Sequence, residues 1–464
     1  MSAFAVELRR ETARVAPALG LTASLAFLLA RLVPDVAGKP WQEDEAVAGL
    51  ISARPSGELL HTVVLDRGGA PLHFVLAHTA FALHGSPQTL RWLSLVFALA
   101  TIPLCYDLAW RVAGEFAGIT AAALAATSQL LAVYGTFGRM YSLFAFASAL
   151  SLDLFVRALD RPGRSTVAAA AAAAFILLLV HPFGVFVFAA EAVVAVLRWR
   201  VRALPFALAG VALAFPYLRL SGRYDPDAGM SAPEALLRAL GGSAGGYGPG
   251  LIVFGIVATI GALSLARMHA AFAAGLILLP TAALAAASGD KLSPRHLIFL
   301  LPVWTTLLAA GIARLPLRTL VAVVAVAASA LAPTAIADPR ANVTEGTAAP
   351  ADWLRARVAE GDALYPYSPV FLAALPEASV AHALPREPVA LARALERAPE
   401  TARTFVALPT GRTWRLLEVR GPFANVPHAL AREIPHLHGL ARAAALQLYA
   451  TSTEGTSPQR SSSR

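Results

Sequence analysis

Charged residues are scarce in this chain. Only 14% of its 464 residues are Asp, Glu, Lys or Arg, whereas 57% are hydrophobic. Soluble globular domains carry about 25% charged residues, so this composition excludes an ordinary water-soluble protein. Apolar runs such as residues 167–180 and 317–331 recur along the chain, and each is about long enough to cross ~30 Å of hydrocarbon as a helix. The composition predicts a polytopic α-helical membrane protein.

Cysteine is almost absent as well. The single Cys105 lies inside an apolar run, which excludes an intrachain disulfide and a thiolate metal cluster. The first apolar run, residues 15–33, is not followed by an A-x-A-like cleavage site, so we expect a retained first helix and not a signal peptide. The chain also shows no internal repeat of the kind found in transporters.

The net charge of +9 comes from small arginine clusters between the apolar runs, and not from one continuous basic face. This pattern argues against a nucleic-acid partner and favours membrane topology, because cytoplasmic loops are enriched in Lys and Arg. With the N-terminus in the cytoplasm, one alternation of sides places every cluster inside. These clusters are Arg9, Arg10 and Arg14; Arg111; Arg157, Arg161 and Arg164; Arg198, Arg200 and Arg202; Arg267; and Arg314 and Arg318.

The same alternation predicts about eleven transmembrane helices, provided that the short apolar stretch at 71–83 is re-entrant or interfacial. The predicted spans are 15–34, 90–110, 115–133, 141–157, 165–180, 183–197, 203–219, 250–266, 270–287, 296–313 and 317–335. We therefore expect a transmembrane domain at 1–336 with a first extracytoplasmic loop at 35–89. A small extracytoplasmic α/β domain would follow at 337–450, with strands near 362–367, 404–408 and 415–419, and then a disordered tail at 451–464.

Three consecutive carboxylates, Glu43, Asp44 and Glu45, open the first extracytoplasmic loop. Such a cluster near a bilayer is typical of a general base with neighbours that hold a metal or a substrate hydroxyl. Acidic residues also favour the positive end of a helix dipole, so the stretch is equally compatible with a helix start.

Further polar residues fall on the same predicted side of the membrane. Asp66 and His73 flank a Gly-Gly-x-Pro turn in the first loop, and each is also compatible with a surface ion pair or a packed interfacial histidine. Arg139 and Tyr141 lie at the head of the fourth span, where an outside arginine either binds an anion or snorkels to the interface. His181 forms the turn after the fifth span. Lys291 and Arg295, two cations before the tenth span, predict a phosphate ligand.

The order of these features resembles the C-type integral-membrane glycosyltransferases, in the branch of the protein O-mannosyltransferases and aminoarabinose transferases. The resemblance covers most of residues 1–335 and depends on order more than on any single motif. The matching features are Trp41-x-x-Asp44-Glu45, Pro71-Leu72, Arg139-Met140-Tyr141, His181 and Pro294-Arg295-His296.

The resemblance implies a sugar transferred from a polyprenyl-phosphate donor to an extracytoplasmic acceptor, which is a protein, a glycolipid or a polysaccharide. It implies that the catalytic base is Asp44 or the adjoining Glu45, of which Asp44 is preferred. Glu45 would then orient Asp44 or bind a divalent cation, Mg or Mn. Substrate would be bound by Glu43, Asp66, His73, Arg139, Tyr141, His181, Lys291 and Arg295.

The chain departs from the family pattern in two places. Ala70-Pro71-Leu72-His73 stands where relatives have Pro-Pro-Leu-Tyr, which leaves the acceptor side open. Phe137-Gly138 lacks the acidic residue that often precedes Arg-Met-Tyr, so a second acidic metal ligand is not supported.

Two other classes of function remain compatible with the sequence. A transporter or flippase of a lipid-linked sugar would use the same outside cations, and a scaffold in an envelope assembly would use the C-terminal domain as a contact surface. The Ala- and Arg-rich composition fits a multi-pass protein of a bacterial inner membrane.

Overall fold

A computed structural model describes most of the chain in two compact units. It covers residues 3–39, 41–66, 69–83, 88–221, 230–287, 292–333, 335–342, 348–359, 362–366, 403–410, 413–420, 426–437, 442, 445–446 and 449–450. The first unit comprises residues 1–38 and 51–338, and the second comprises residues 39–50 and 339–464. Helix α2, which starts in the acidic stretch, begins in the second unit and ends in the first.

Most described residues of the first unit, to which the last two residues of α2 belong, are helical, and one isolated antiparallel bridge joins Met230 to Leu292. Its helices are α1 (Ala3–Gly38), α2 (Glu43–Ser52), α3 (Ser56–Leu60), a π-helix (His61–Asp66), α4 (Leu72–Leu83), α5 (Gln88–Ala113), α6 (Glu115–Ala126), α7 (Gln129–Tyr134), α8 (Tyr141–Asp160), α9 (Arg164–Val180), α10 (Gly184–Trp199), a 3-10 helix (Arg200–Ala203), α11 (Leu204–Ser221), α12 (Ala232–Ser243), α13 (Pro249–Ser264), α14 (Arg267–Ala287), a 3-10 helix (Pro294–Leu300), α15 (Leu301–Ile312) and α16 (Arg318–Leu331).

Each predicted span overlaps helix in this structure, although 115–133 is divided between α6 and α7 and the predicted span 317–335 extends beyond α16, which ends at Leu331. Within the described residues, five helical stretches are long and apolar enough to cross a membrane: Val15–Gly38, Gln88–Ala113, Tyr141–Asp160, Arg267–Ala286 and Pro294–Ile312. Shorter apolar helices include Glu115–Ala126, Arg164–Val180, Pro249–Ser264 and Arg318–Leu331. The number of spans, eleven, therefore stays a prediction. The stretch at 71–83 forms the 12-residue α4, which is too short to cross alone.

The predicted span 115–133 is not one continuous helix. It breaks after α6, and Ser128 starts α7 by accepting a hydrogen bond on its side chain from the Leu131 backbone N–H. The Ser128 hydroxyl also donates to the carbonyl of Gly242, 2.9 Å away. A hydroxyl that satisfies exposed helix ends makes such a break tolerable inside an apolar core. The break lets the chain leave the membrane helix and form the link that carries Arg139.

Glycine allows two membrane helices to cross at close range. A Cβ atom added to Gly261 in α13 would lie 1.9 Å from the Leu307 carbonyl oxygen, and one added to Gly311 in α15 would lie 2.0 Å from that of Val257. Small residues at such crossings let backbones touch and stabilise association by van der Waals packing.

One glutamine joins α7 to the segment that follows the last membrane helix. The side-chain amide of Gln129 donates to the carbonyl oxygens of Ala332 and Pro333, at 3.1 and 3.0 Å. Its side-chain oxygen accepts the Ala335 backbone N–H at 2.6 Å. Gln129 thereby satisfies backbone groups that the end of α16 leaves without helical partners.

Four charged side chains form a network between α5 and α8. Asp153, whose side chain is 1% exposed, pairs with Arg111 at 3.0 Å and with Arg157 at 2.7 Å, and both arginines also pair with Asp107. Because the carboxylates offset the arginine charges, this buried network costs less than isolated ions would. Both arginines belong to clusters that the sequence assigns to the cytoplasmic side.

The second unit contains a three-stranded sheet in the order β1 (Ala363–Pro366), β2 (Arg403–Thr410), β3 (Thr413–Arg420). Strands β1 and β2 are parallel, and β2 and β3 form an antiparallel pair. The described residues of this unit also form helices α17 (Ala348–Arg355) and α18 (Val426–Glu433) and the 3-10 helices Pro339–Asn342 and Ile434–His436. The three predicted strands lie within one or two residues of these positions. The sequence of this domain also predicts helical runs at 389–396 and 440–448. The first run and the tail at 451–464 lie outside the described residues, as do most residues of the second run.

Alternate residues of β2 face opposite sides of the sheet. Phe405 and Ala407 pack with Leu354 of α17, whereas Val406 and Leu408 pack with Leu430 of α18. This alternation is the period-two pattern of a strand buried on both faces.

Candidate functional site

A short irregular link between α7 and α8 presents Arg139. The Ser94 hydroxyl of α5 donates to the Phe137 carbonyl at 2.7 Å, and the Ser142 hydroxyl donates to the Tyr134 carbonyl at 2.6 Å. These bonds satisfy backbone groups that no helix covers, so they fix the shape of the link. The Arg139 guanidinium carbon lies 6.0 Å from the ring centre of Phe74 in α4. Arg139 is therefore held at the start of α8, as the sequence predicted.

Aromatic rings surround this link. Tyr134 and Tyr141 have ring centres 5.1 Å apart, and Phe137 lies 5.8 Å from Tyr134. Tyr141 is 2% exposed and also lies 6.2 Å from the His181 ring. Phe144, one turn further along α8, stacks on His181 with centres 4.6 Å apart and planes 13° from parallel. The rings form one rigid wall.

Arg295 reaches the same aromatic wall from a distant part of the sequence. It lies in the 3-10 helix that precedes α15, and its guanidinium carbon is 5.4 Å from the ring centre of Tyr141. The next residue, His296, has its ring centre 6.1 Å from that of His181. A guanidinium over a ring face is attracted by the ring quadrupole and keeps its hydrogen-bonding edge in a fixed plane.

His181 is a neutral hydrogen-bond donor in this cluster. Burial lowers the pKa of His181 well below its ordinary value, and the charges of His296, Arg139 and Arg295 lower it further. Its Nδ1 atom accepts the Phe183 backbone N–H at 3.1 Å. In a neutral ring only one nitrogen carries a proton, so the proton belongs on Nε2. The turn at His181 thus supplies an Nε2–H donor whose state does not change near neutral pH.

His73 is the most buried histidine at the start of α4, with 2% of its surface exposed. Burial, assisted by the charge of Arg139, lowers the pKa of His73 to about 3. Its Nε2 atom is buried and has no hydrogen-bond partner among the described residues. His73 is therefore also neutral at pH 7, and it brings α4 into the electrostatic field of Arg139.

Tyr134 and Ser293 were not among the predicted site residues. Burial raises the pKa of Tyr134, and its hydroxyl hydrogen-bonds the Ser293 side chain and lies in the field of Arg295. Tyr134 and His296 both adjoin predicted motifs, so their proximity in sequence to Arg139 and Arg295 was the available signal. Phe144 gave no such signal, because a phenylalanine inside an apolar helix is indistinguishable from core.

The acidic stretch, Glu43 to Glu45, belongs to the second unit. It forms the first turn of α2, as the helix-start interpretation predicted. Glu45 is fully buried, and its carboxylate accepts the Gln42 backbone N–H at 3.2 Å. The Gln42 side chain in turn accepts the Asp44 backbone N–H at 2.6 Å. Glu43 and Asp44 are partly exposed. The roles of these residues as base and neighbours stay predictions.

Two predicted site residues cannot be placed. Lys291 lies outside the described residues, and so does the side chain of Asp66, although its backbone closes the π-helix. A divalent cation on Glu45 also stays a prediction. Within the described ranges, no three His, Cys, Asp or Glu side chains are arranged to hold a metal ion.

The structure therefore brings together five predicted site residues: His73, Arg139, Tyr141, His181 and Arg295. The first and the last of them are 222 residues apart in the sequence. Four separate segments supply them: the starts of α4 and α8, the turn after α9, and the 3-10 helix before α15. Two guanidiniums, a neutral imidazole donor and an aromatic wall suit a phosphate with an adjoining uncharged group.

No family model matches the chain, and no curated protein matches its sequence. Two crystal structures of ArnT from Cupriavidus metallidurans share its fold. The apo structure aligns with a TM-score of 0.60 over 85% of this chain and 93% of that chain, at 13% identity. The structure bound to undecaprenyl phosphate aligns with a TM-score of 0.60 over 92% of this chain and 95% of that chain, at 12% identity.

The chain thus has an ArnT-like fold, built from long apolar helices and a small C-terminal sheet. This confirms the fold class predicted from the sequence and the resemblance to the aminoarabinose transferase branch. With its apolar helices, the fold makes the chain a multi-pass membrane protein.

Proposed function

We propose that this chain is an integral-membrane glycosyltransferase that moves a sugar from a polyprenyl-phosphate donor to an acceptor on the extracytoplasmic side. One observation supports it above the others: Arg139, Arg295 and His181 converge at one cluster in a fold that, in ArnT, has been solved with undecaprenyl phosphate. The lipid, the sugar and the acceptor of this chain are parts of the proposal.

The cluster suits the donor's phosphodiester. Guanidinium groups bind phosphate oxygens with two parallel hydrogen bonds. Here the guanidinium of Arg139 lies over the Phe74 ring, and that of Arg295 lies over the Tyr141 ring. The Nε2–H of His181 adds a neutral donor that does not repel either arginine. Tyr141 would hold Arg295 in place, and His73 would line the cluster from α4.

The proposed reaction is a single displacement at the anomeric carbon. An acceptor hydroxyl oxygen forms the new glycosidic bond while the bond from the anomeric carbon to the phosphate oxygen breaks. The hydroxyl proton passes to the Asp44 carboxylate, and the electron pair leaves with polyprenyl phosphate. Arg139 and Arg295 would stabilise the charge that grows on the leaving phosphate. Nothing further is needed to balance the step.

Glu45 supports this role for Asp44 as a positioning residue. Its buried carboxylate accepts the Gln42 backbone N–H, and the Gln42 side-chain oxygen accepts the Asp44 backbone N–H. These two hydrogen bonds fix the first turn of α2. A base on a fixed turn loses little entropy when it meets its substrate. Glu43, Asp66 and Lys291 complete the proposed substrate contacts on the grounds of their sequence positions.

The proposed setting is a bacterial inner membrane with the N-terminus in the cytoplasm and the C-terminal domain outside. The arginine clusters support this orientation, because most of them fall in alternate gaps between helices. A reporter fused after residue 450 and one inserted after residue 162 should then respond on opposite sides of the membrane.

The decisive experiment measures sugar transfer by the purified full-length protein from a panel of radiolabelled polyprenyl-phosphate hexoses and pentoses. We expect transfer by the wild type and a loss of about 10²- to 10⁴-fold in Asp44→Asn, the usual contribution of a general base. Glu58→Gln is the matched control, because Glu58 is an exposed carboxylate of the same loop. Each protein is assayed with and without a divalent-metal chelator to establish whether a cation is required.

Full transfer by Asp44→Asn would show that Asp44 is not the base, while the proposal that the protein is a glycosyltransferase would stand. A lipid-linked sugar transporter would bind the same donor but release no polyprenyl phosphate. Donor binding without product across the whole panel, together with flipping of labelled donor in vesicles, would therefore replace transfer by transport.

A further inference from the structure

A cavity that is open to the surroundings lies at the opposite end of α9 from the site described above. Its volume is about 700 Å³, and it lies between the end of α8, the start of α9, the end of α10 and the start of α11. Cavities of roughly 300–1,000 Å³ are the size that holds a small organic ligand. Arg164 begins the 17-residue α9 and His181 follows its end, so about 25 Å of helix separates this cavity from the phosphate cluster.

The wall of the cavity is apolar and made of small side chains. A short side chain leaves space where a leucine or phenylalanine would fill the gap between two helices. Phe155 and Phe206 also line it. The side chains along the wall are Val167, Ala168, Ala170, Ala171, Ala195 and Ala203. Such a surface suits hydrocarbon chains.

The mouth of the cavity is cationic. Arg164 and Arg202 both line it and both are exposed to solvent. Among the hydrogen bonds and ion pairs of the described residues, none involves either guanidinium. Two unpaired like charges at one opening repel each other, and an anion placed between them removes that repulsion.

Trp199 lies beside the two arginines and packs against Phe155, with ring centres 6.2 Å apart. Tryptophan concentrates at the level of lipid headgroups, where its ring is amphipathic. The arginine clusters assign this end of α9 to the cytoplasmic side, whose leaflet carries anionic lipids in many membranes.

We propose that the cavity binds an anionic diacyl phospholipid of the cytoplasmic leaflet. Its phosphodiester lies between Arg164 and Arg202, its acyl chains lie along the alanine wall, and Trp199 marks the headgroup level. The charge at the mouth selects phosphatidylglycerol over a lipid without net charge. This site is separate from the donor site and does not depend on the reaction proposed there.

Native mass spectrometry of the purified full-length protein tests the proposal, with dioleoyl phosphatidylglycerol and dioleoyl phosphatidylcholine as probes. We expect one tightly retained phosphatidylglycerol in the wild type. Each arginine near a membrane surface contributes about fivefold in affinity for anionic lipid, so Arg164→Gln/Arg202→Gln should weaken retention by roughly 25-fold. Arg267→Gln/Arg314→Gln, which removes two exposed arginines of the same predicted side away from the cavity, is the matched control.

A second variant changes the space and not the charge. Ala168→Phe fills the cavity and should also release the lipid, while bound phosphatidylglycerol should raise the thermal unfolding midpoint of the wild type and of the arginine control alone. Equal retention of both lipids by the wild type would overturn the proposal. So would unchanged phosphatidylglycerol retention in the two cavity variants, or an equal loss in the control pair.

Discussion

Replacement of Arg295 by glutamine tests whether the cluster binds the donor phosphate. The variant keeps a polar side chain of similar reach and removes the charge that lies 5.4 Å from the Tyr141 ring. A hydrogen bond to a charged group contributes about 1.5–3 kcal/mol, and a cation over an aromatic ring about 0.5–2 kcal/mol. Because part of the ring contact is intramolecular, we assign only the first term to donor binding. At about 1.4 kcal/mol per tenfold, kcat/KM for the donor should fall by roughly 10- to 150-fold.

The assay is a donor titration at saturating acceptor, with free polyprenyl phosphate as a competitive product inhibitor. Arg295→Gln should raise the inhibition constant of the lipid phosphate by the same factor as the donor KM, since both share the phosphate. The donor KM of Arg295→Lys should lie between those of the wild type and Arg295→Gln, because an ammonium keeps the charge but loses the planar pair of donors.

Arg238 provides a matched control for this test. Its guanidinium carbon also lies over a tyrosine, 5.1 Å from the ring centre of Tyr247, and its side chain is 34% exposed. It pairs with Glu234 and has no place in the aromatic cluster. Arg238→Gln should leave the donor KM unchanged. The reasoning is refuted if Arg295→Gln binds donor as the wild type does, or if both arginine variants lose the same factor.

Three further outcomes are expected. His181→Gln should retain more activity than His181→Asn, because a glutamine amide reaches the Nε2 position whereas asparagine reaches Nδ1; equal activities would contradict the assigned tautomer. His73 has a folded-state pKa of about 3, below its unfolded value, so its contribution to stability is present above pH 6.5 and is lost as the pH falls through that value. At pH 5.5 the His73 contribution should lower the free energy of unfolding by about 1.4 kcal/mol relative to its value well above pH 6.5. Because the pKa of His181 is lowered as well, His73→Gln should reduce the pH dependence of thermal unfolding by this amount and not abolish it. Asp153→Asn should destabilise the protein by about 1–3 kcal/mol, since Arg111 and Arg157 lose a buried partner; an unchanged unfolding midpoint would contradict this.

The helices of the transmembrane region were predictable because both signals for them are local. Apolar runs mark the spans, and arginine clusters mark alternate gaps, so both can be found without knowing any tertiary contact. The break between Thr127 and Ser128 was not predicted, although Thr127, Ser128 and Gln129 are three consecutive polar residues at that point. Apolar runs flank them on both sides, so hydrophobicity predicts one span for the whole stretch. The break is stabilised by a hydrogen bond from Ser128 to Gly242, 114 residues away.

The cluster was predictable in its membership more than in its geometry. Arg139, His181 and Arg295 shared a predicted side of the membrane, and the two arginines are exceptions to the bias of Lys and Arg toward the cytoplasm. The packing of their rings could not be read from the sequence, since it depends on helix rotation. The aromatic support from Phe74 and Phe144 comes from residues whose neighbours in sequence are ordinary apolar core.

The bond network of Gln129 has a consequence for how the protein is made. Its side-chain oxygen accepts the backbone N–H of a residue 206 positions later in the chain. At a synthesis rate of about 5–20 residues per second, roughly 10–40 seconds pass between the insertion of these two partners. During this time the helix bundle is incomplete. Helix α7 and the link that carries Arg139 then lack the contacts made by the segment after α16. A ribosome-bound chain that ends before α16 should therefore insert its early helices correctly and yet lack a finished site, leaving this segment as a natural client for a membrane insertase or chaperone.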